Sequence, residues 1–205
     1  LRLRLSSLDS IEIDPLLEEI VSSEPRVMPH VHLSLQHGDD MILKRMKRRH
    51  SHSDAVALVE RLKVRRPEVA IGADIIAGFP TEDEAMFANS LALLEDCDIV
   101  FGHIFPFSPR PGTPAARMPQ LDRAIVRARA ETLRKAALGR KAAWLSSLVG
   151  TTQRTLVELD GRTGHAPNFA TVALEQSLPA SNMRGTMIDV LITGSDGRTL
   201  SGLPA

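Results

Sequence analysis

The 205-residue sequence holds a single cysteine, Cys97. One thiol cannot close an internal disulfide, which fits a reducing compartment. Nor can it hold an iron–sulfur cluster, which takes three or four thiolates. No Lys, Arg or His adjoins Cys97 to lower its pKa, so it reads as a small core residue at a helix end rather than a reactive thiol. An excess of charge of either sign is also missing: Lys+Arg and Asp+Glu number 25 each, and global charge argues neither for nor against nucleic acid. No apolar run is long enough to cross a bilayer, and Leu1-Arg2-Leu3-Arg4 opens no signal-peptide core, so the expected location is cytoplasmic. An initiator Met is absent. A chain that starts inside an alternating apolar and basic pattern is expected to have lost its front.

What is present is ordinary for a soluble globular protein: 43% hydrophobic and 24% charged residues, in a length that suits one medium domain and a small one. The first two-thirds alternates strands and helices. Strands are expected at Arg2 to Ser7, Val31 to Gln36, Val69 to Ala77 and Ile99 to Phe107. Helices are expected at Ile13 to Ser22, with Pro15 early, at Asp40 to Arg49, and at Ser53 to Arg66, stopped by Pro67. A Thr81/Glu84 capping box would open a further helix that runs to about Asp96. Such βα units give a parallel sheet, and four strands make a partial barrel with an open side. Pro109 to Pro119 is a proline-rich loop, and Leu121 to Val149 is a long helix with Ile125, Leu133, Leu138, Leu145 and Leu148 as apolar positions. From Gly150 the chain turns to short β-type runs broken by Asp160-Gly161 and Asp196-Gly197, the pattern of a β-barrel of about OB-fold size. The expected organisation is 1–120, 121–149 and 150–205.

In a parallel α/β barrel, function gathers at the C-terminal ends of the strands. Three such ends carry Gly and small polar residues. They are Ser34, Gln36, His37, Gly38 and Asp39; then Asp74, Gly78-Phe79-Pro80 and Glu82; then His103 and the Phe105 to Thr113 run. Ser34 and Gln36 alternate onto one strand face. His37 lacks a second ligand at metal-site spacing, so it reads as a substitution tolerated at a loop and no metal is expected.

LSLQHG followed by LKRMKRRH, then ADIIAGFPTEDE, then HIFPFSPRPGTPAARM, resembles the second half of the radical S-adenosylmethionine (SAM) barrel of tRNA methylthiotransferases. The opening RLRLSSLDSIEID is closer to the branch that acts on N6-threonylcarbamoyladenosine, and the final segment resembles the small TRAM RNA-binding domain. The resemblance implies an α/β fold: the C-terminal half of a radical SAM partial barrel followed by an OB-like TRAM barrel. It implies SAM and tRNA as partners, with neither DNA nor membrane. In the full-length protein it implies two [4Fe-4S] clusters, whose cysteine ligands are absent here; no catalytic cluster residue is present. Ser34 and Gln36 would take the ribose of SAM, Arg48 its carboxylate, and Ile76 and Gly78 its adenine. Asp74 would face the nucleoside, and Ser108 would stand beside the cofactor. The family usually has Ser where His37 stands and Tyr where Phe107 stands.

Nine Lys/Arg lie between Arg110 and Lys141: Arg110, Arg117, Arg123, Arg127, Arg129, Arg134, Lys135, Arg140 and Lys141; only Asp122 and Glu131 oppose them. A basic helix face suits RNA phosphate, with Arg110, Arg123, Arg127 and Arg134 as candidates. The β-rich end offers Phe169 as its lone aromatic, which argues against base readout there. The implied activity is methylthiolation of C2 of threonylcarbamoyladenosine at position 37 of tRNA. The alternatives are the isopentenyladenosine or ribosomal-protein substrates of the same superfamily, or a catalytically dead RNA-binding remnant. The chain alone is expected to be inactive.

Overall fold

The computed structural model describes residues 2–176 and 185–205. Helix α1 (Pro15–Ser23) begins on Pro15 at its first turn, and the Leu17 N–H donates to Asp14 Oδ1 at 2.8 Å. Strand β1 (His30–Gln36) follows, then α2 (Asp40–Arg45), α3 (His52–Arg65), β2 (Ala70–Ala77), α4 (Glu84–Asp96), β3 (Ile99–Pro106) and α5 (Arg123–Ser147). β1, β2 and β3 form a parallel sheet in that order. Val31, Leu33 and Leu35 of β1 and Ile71, Ala73 and Ile75 of β2 are fully buried in one core with Leu58 and Leu62 of α3, Leu93 and Leu94 of α4, and Leu133 of α5. Cys97 is buried in the same core and caps the end of α4.

Four sequence expectations change in detail. The Arg2 to Ser7 run is not a strand. Ser7 takes a left-handed φ of 57°, which breaks extension, and the chain is held by two isolated bridges, Leu3 to Val27 and, just past the run, Leu8 to Leu33 of β1. The sheet therefore has three strands among the described residues, not four. Helix α2 stops at Arg45 rather than Arg49. Lys47 takes φ 59°, and the Arg48 N–H donates to Leu43 O while the Lys47 N–H donates to Lys44 O, which is a Schellman close. Helix α4 is capped by Asp83, whose Oδ1 accepts from the Met86 N–H at 2.8 Å; a Thr81/Glu84 box does not form because Thr81 has φ 70°. On α5 the inward stripe is Val126, Ala130, Leu133 and Ala137, whereas Ile125 and Leu138 are exposed.

After α5 come β4 (Thr152–Val157), β5 (Thr163–His165), β6 (Thr171–Leu174), β7 (Met187–Ser195) and β8 (Leu200–Pro204), closed into a barrel in the order β4-β5-β6-β8-β7. Its core gathers Val157, Val172, Val190, Ile192 and Leu200 around Leu145, the buried side chain of the last turns of α5. The long helix is thus part of both cores: its first half covers β3, where Gly102 lets Ala137 approach, and its end plugs the β-barrel. Among the described residues no helix is long and apolar enough to cross a membrane.

Candidate functional site

Register and alternation decide which side chains share the inner face of the sheet. His32 of β1 pairs with Gly72 of β2, Asp74 with His103 of β3, and Ile76 with Phe105. The inner face therefore carries His30, His32 and Ser34, then Gly72, Asp74 and Ile76, then Phe101, His103 and Phe105; past a bulge after Leu33, Gln36 falls opposite the core residue Ile75. Helices cover the opposite face, and on the inner face Trp144 of α5 packs on Phe101; Asp74, Ile76 and Ser34 stay partly open and His103 and Phe105 are exposed. At the C-terminal edge the backbone is strained: Gln36 has φ 68°, Gly78 φ 74° and Thr81 φ 70°. A left-handed non-glycine residue at the tip of β1 is the sort of outlier that gathers at binding sites.

Three predicted site residues, Ser34, Asp74 and Ile76, thus share the inner face, whereas Gln36 follows a bulge and pairs with Ile75. Gly78 and Ser108 meet in a neighbouring cavity of about 360 Å³ with Arg123, Val126 and Arg127. The bare Cα of Gly78 serves packing, because a Cβ there would lie 2.7 Å from Val126 Cγ2 of α5. Arg48 is not free: its Nη1 donates to Asp9 Oδ2 at 3.1 Å, so a ligand carboxylate would have to share or displace that pair. Arg110, Arg123, Arg127 and Arg134 are exposed as expected. Arg129, counted with them in the basic run, is buried and points inward to Glu82 and Glu84. Arg140 is likewise held by Asp98.

Sequence reasoning missed two clusters. The first lies deeper on the inner face. His32 Nε2 is 3.0 Å from Asp74 Oδ1, and His103 Nδ1 is 3.4 Å from the same oxygen. The three residues line a cavity of about 330 Å³ with Arg4, His30 and Phe169. The signal was partial: His32 sits two residues before Ser34 and so shares its face, but the cross-strand register was not legible. Burial first, and then the neighbouring Arg4, push the His30 imidazole down to about 4, so it stays neutral. The second cluster lies under the strand tips. His37 lies in the loop after β1 and is buried there: its side chain is fully enclosed 3.9 Å from Glu82 Oε2, and its Nδ1 accepts from the Asp39 N–H at 3.0 Å. Phe107, where the family usually has Tyr, packs edge-on against Phe79 with centroids 5.2 Å apart.

Cys97 fits no cluster. Burial, followed by Asp96 and Glu60, pushes its thiol up to about 12. Native protein is therefore expected to resist alkylation at about pH 8, with full labelling only in denaturant. Rapid native labelling by iodoacetamide, read by mass spectrometry, would contradict the burial.

Residues 5–94 match the Radical SAM superfamily. Over 177 residues the chain is 45% identical to threonylcarbamoyladenosine tRNA methylthiotransferase MtaB of Rickettsia prowazekii, covering 86% of this chain and 42% of that protein. By sequence, the chain is related to the radical SAM tRNA methylthiotransferases. It is also 34% identical over 207 residues to tRNA-2-methylthio-N(6)-dimethylallyladenosine synthase of Maricaulis maris, 98% of this chain and 45% of that protein. The chain therefore spans a little less than half the length of these methylthiotransferase relatives. Among solved structures, coproporphyrinogen III oxidase of Escherichia coli, a radical SAM enzyme, superposes with a TM-score of 0.51 at 12% identity, over 97% of this chain and 50% of that one. That likeness concerns the fold alone.

Proposed function

We propose that this chain forms the SAM-side wall and the RNA-gripping end of a tRNA methylthiotransferase that modifies C2 of N6-threonylcarbamoyladenosine at position 37. The observation that carries the reading is the placement of Ser34, Asp74 and Ile76 on one open sheet face, with Gln36 at the tip of the same strand, beside the Gly78 and Ser108 cavity. Ser34 and Gln36 offer hydrogen bonds suited to ribose hydroxyls, and Ile76 an apolar face suited to adenine. Arg48 would meet the ligand carboxylate in competition with Asp9. Asp74 stands where the nucleoside would enter. The exposed Arg110, Arg123, Arg127 and Arg134 suit tRNA phosphates. The closed five-stranded barrel is of the size and kind that a TRAM domain would have.

Iron–sulfur clusters, two in this reading, would supply reductive cleavage of SAM and sulfur; Cys97, buried and hard to ionise, does not suit either of them. The greater identity to the threonylcarbamoyladenosine enzyme, 45% against 34%, supports that substrate over the dimethylallyl one.

Deleting the gene and measuring tRNA nucleosides by mass spectrometry tests the assignment. The 2-methylthio form of threonylcarbamoyladenosine is expected to vanish and the unmodified parent to accumulate. Loss of the 2-methylthio dimethylallyl nucleoside instead would shift the substrate. Unchanged nucleosides, with tRNA still bound by the purified protein, would mean an RNA-binding remnant.

A further inference from the structure

We propose that His32, Asp74 and His103 form a binding site for one divalent transition-metal ion, such as Zn²⁺, on the inner face of the sheet. The inference stands on side-chain geometry and does not depend on the methylthiotransferase reading.

Each of the three strands supplies one ligand atom: His32 Nε2, Asp74 Oδ1 and His103 Nδ1, all within 4.8 Å of one another. Zn–N and Zn–O bonds are about 2.1 Å long. Two ligands on such an ion are therefore about 3.0 Å apart at a right angle and about 3.4 Å apart at the tetrahedral angle. The observed separations from Asp74 Oδ1 are 3.0 Å to His32 and 3.4 Å to His103. Both separations from the carboxylate thus suit a shared ion, with the two imidazole nitrogens within 4.8 Å of each other. Two imidazoles and one carboxylate match the ligand preferences of Zn²⁺, Fe²⁺ and Co²⁺ rather than those of Mg²⁺ or Ca²⁺.

The position is built rather than incidental. A Cβ at residue 72 would lie 2.4 Å from His32 Nδ1, so the imidazole rests on the bare backbone of Gly72 and is confined there. Asp74 and His103 are direct cross-strand neighbours, which fixes their approach. Among the described residues, the ion-pair partners of Asp74 are the two histidines, with no Lys or Arg to satisfy its charge permanently. Arg4 lines the same cavity, but its guanidinium is stacked 3.4 Å over the Phe169 ring. The His103 side chain is 61% exposed and the cavity beyond it is about 330 Å³. A three-ligand ion here keeps an open coordination position toward that space, able to take water or a nitrogen or oxygen of a small molecule.

Calorimetric titration of the purified protein with Zn²⁺, and with Co²⁺ followed by its visible d–d absorption, tests the site. One equivalent of Zn²⁺ is expected to bind, with Co²⁺ bands of reduced symmetry. Affinity is expected to fall by at least about 100-fold in Asp74→Asn and in His103→Ala. His103 is exposed, so His103→Ala keeps the fold, checked by circular dichroism, and separates loss of a ligand from loss of structure. Absence of stoichiometric Zn²⁺ uptake overturns the proposal. So does uptake that survives both substitutions, which would place the ion on other histidines.

Discussion

Replacing Arg129 with alanine is expected to lower unfolding stability by about 3–5 kcal/mol, read as a large drop in the urea midpoint. The Glu82 side chain is fully buried, and its Oε1 lies 3.6 Å from Arg129 Nη1. The same Nη1 donates to Glu82 O at 2.8 Å, and Nη2 pairs with Glu84 Oε1. The guanidinium also sits 5.3 Å from the Phe87 ring centroid. Removing it leaves a carboxylate without a compensating cation in a site where both oxygens already lack a hydrogen-bond partner. The double variant with Glu82→Gln is expected to recover part of the loss, because it removes the stranded charge. Equal stability of the two variants would show that lost packing, not charge, sets the cost.

Gly38→Ala is expected to cost about 3 kcal/mol, seen as a fall in melting temperature. An added Cβ would lie 2.2 Å from Asn89 O and 2.5 Å from its carbonyl carbon, both backbone atoms of α4 that cannot swing aside. The Gly38 N–H also donates to Ser90 Oγ at 3.1 Å, so the loop after β1 is held directly on the α4 backbone. By contrast, Gly139 has nothing within 4 Å of its ideal Cβ, and a methyl group there meets open space. A melting temperature unchanged by Gly38→Ala would mean that the β1 tip can move off α4. Movement of that kind would also loosen the placement of Ser34 and Gln36.

The element order was legible because two periods dominate the chain: near-continuous apolar strands and helices with caps. The places where reading failed have local causes. Ser7 and Lys47 adopt positive φ without being glycine, and nothing in residue type announces that. Asp83 and Thr81 compete for the same helix start, and backbone conformation selects Asp83. Counting Arg129 in a basic run missed its burial because a linear charge pattern does not reveal a carboxylate 47 positions away, the separation of Arg129 from Glu82. Strand alternation alone placed Ser34 and Gln36 together, which the bulge after Leu33 undoes. The meeting of His32 with Asp74 and His103 needed the register of three strands, one of them shifted by a bulge between Leu33 and Gln36.

Helix α5 has 25 residues, about 37 Å at the usual rise, with Leu133 fully buried against the sheet and Leu145 fully buried in the β-barrel. A rod socketed at both ends behaves as an axle: neither body can swivel without drawing an apolar side chain out of its seat. Heat or denaturant is therefore expected to melt the two together, because loss of either seat uncovers part of the same helix.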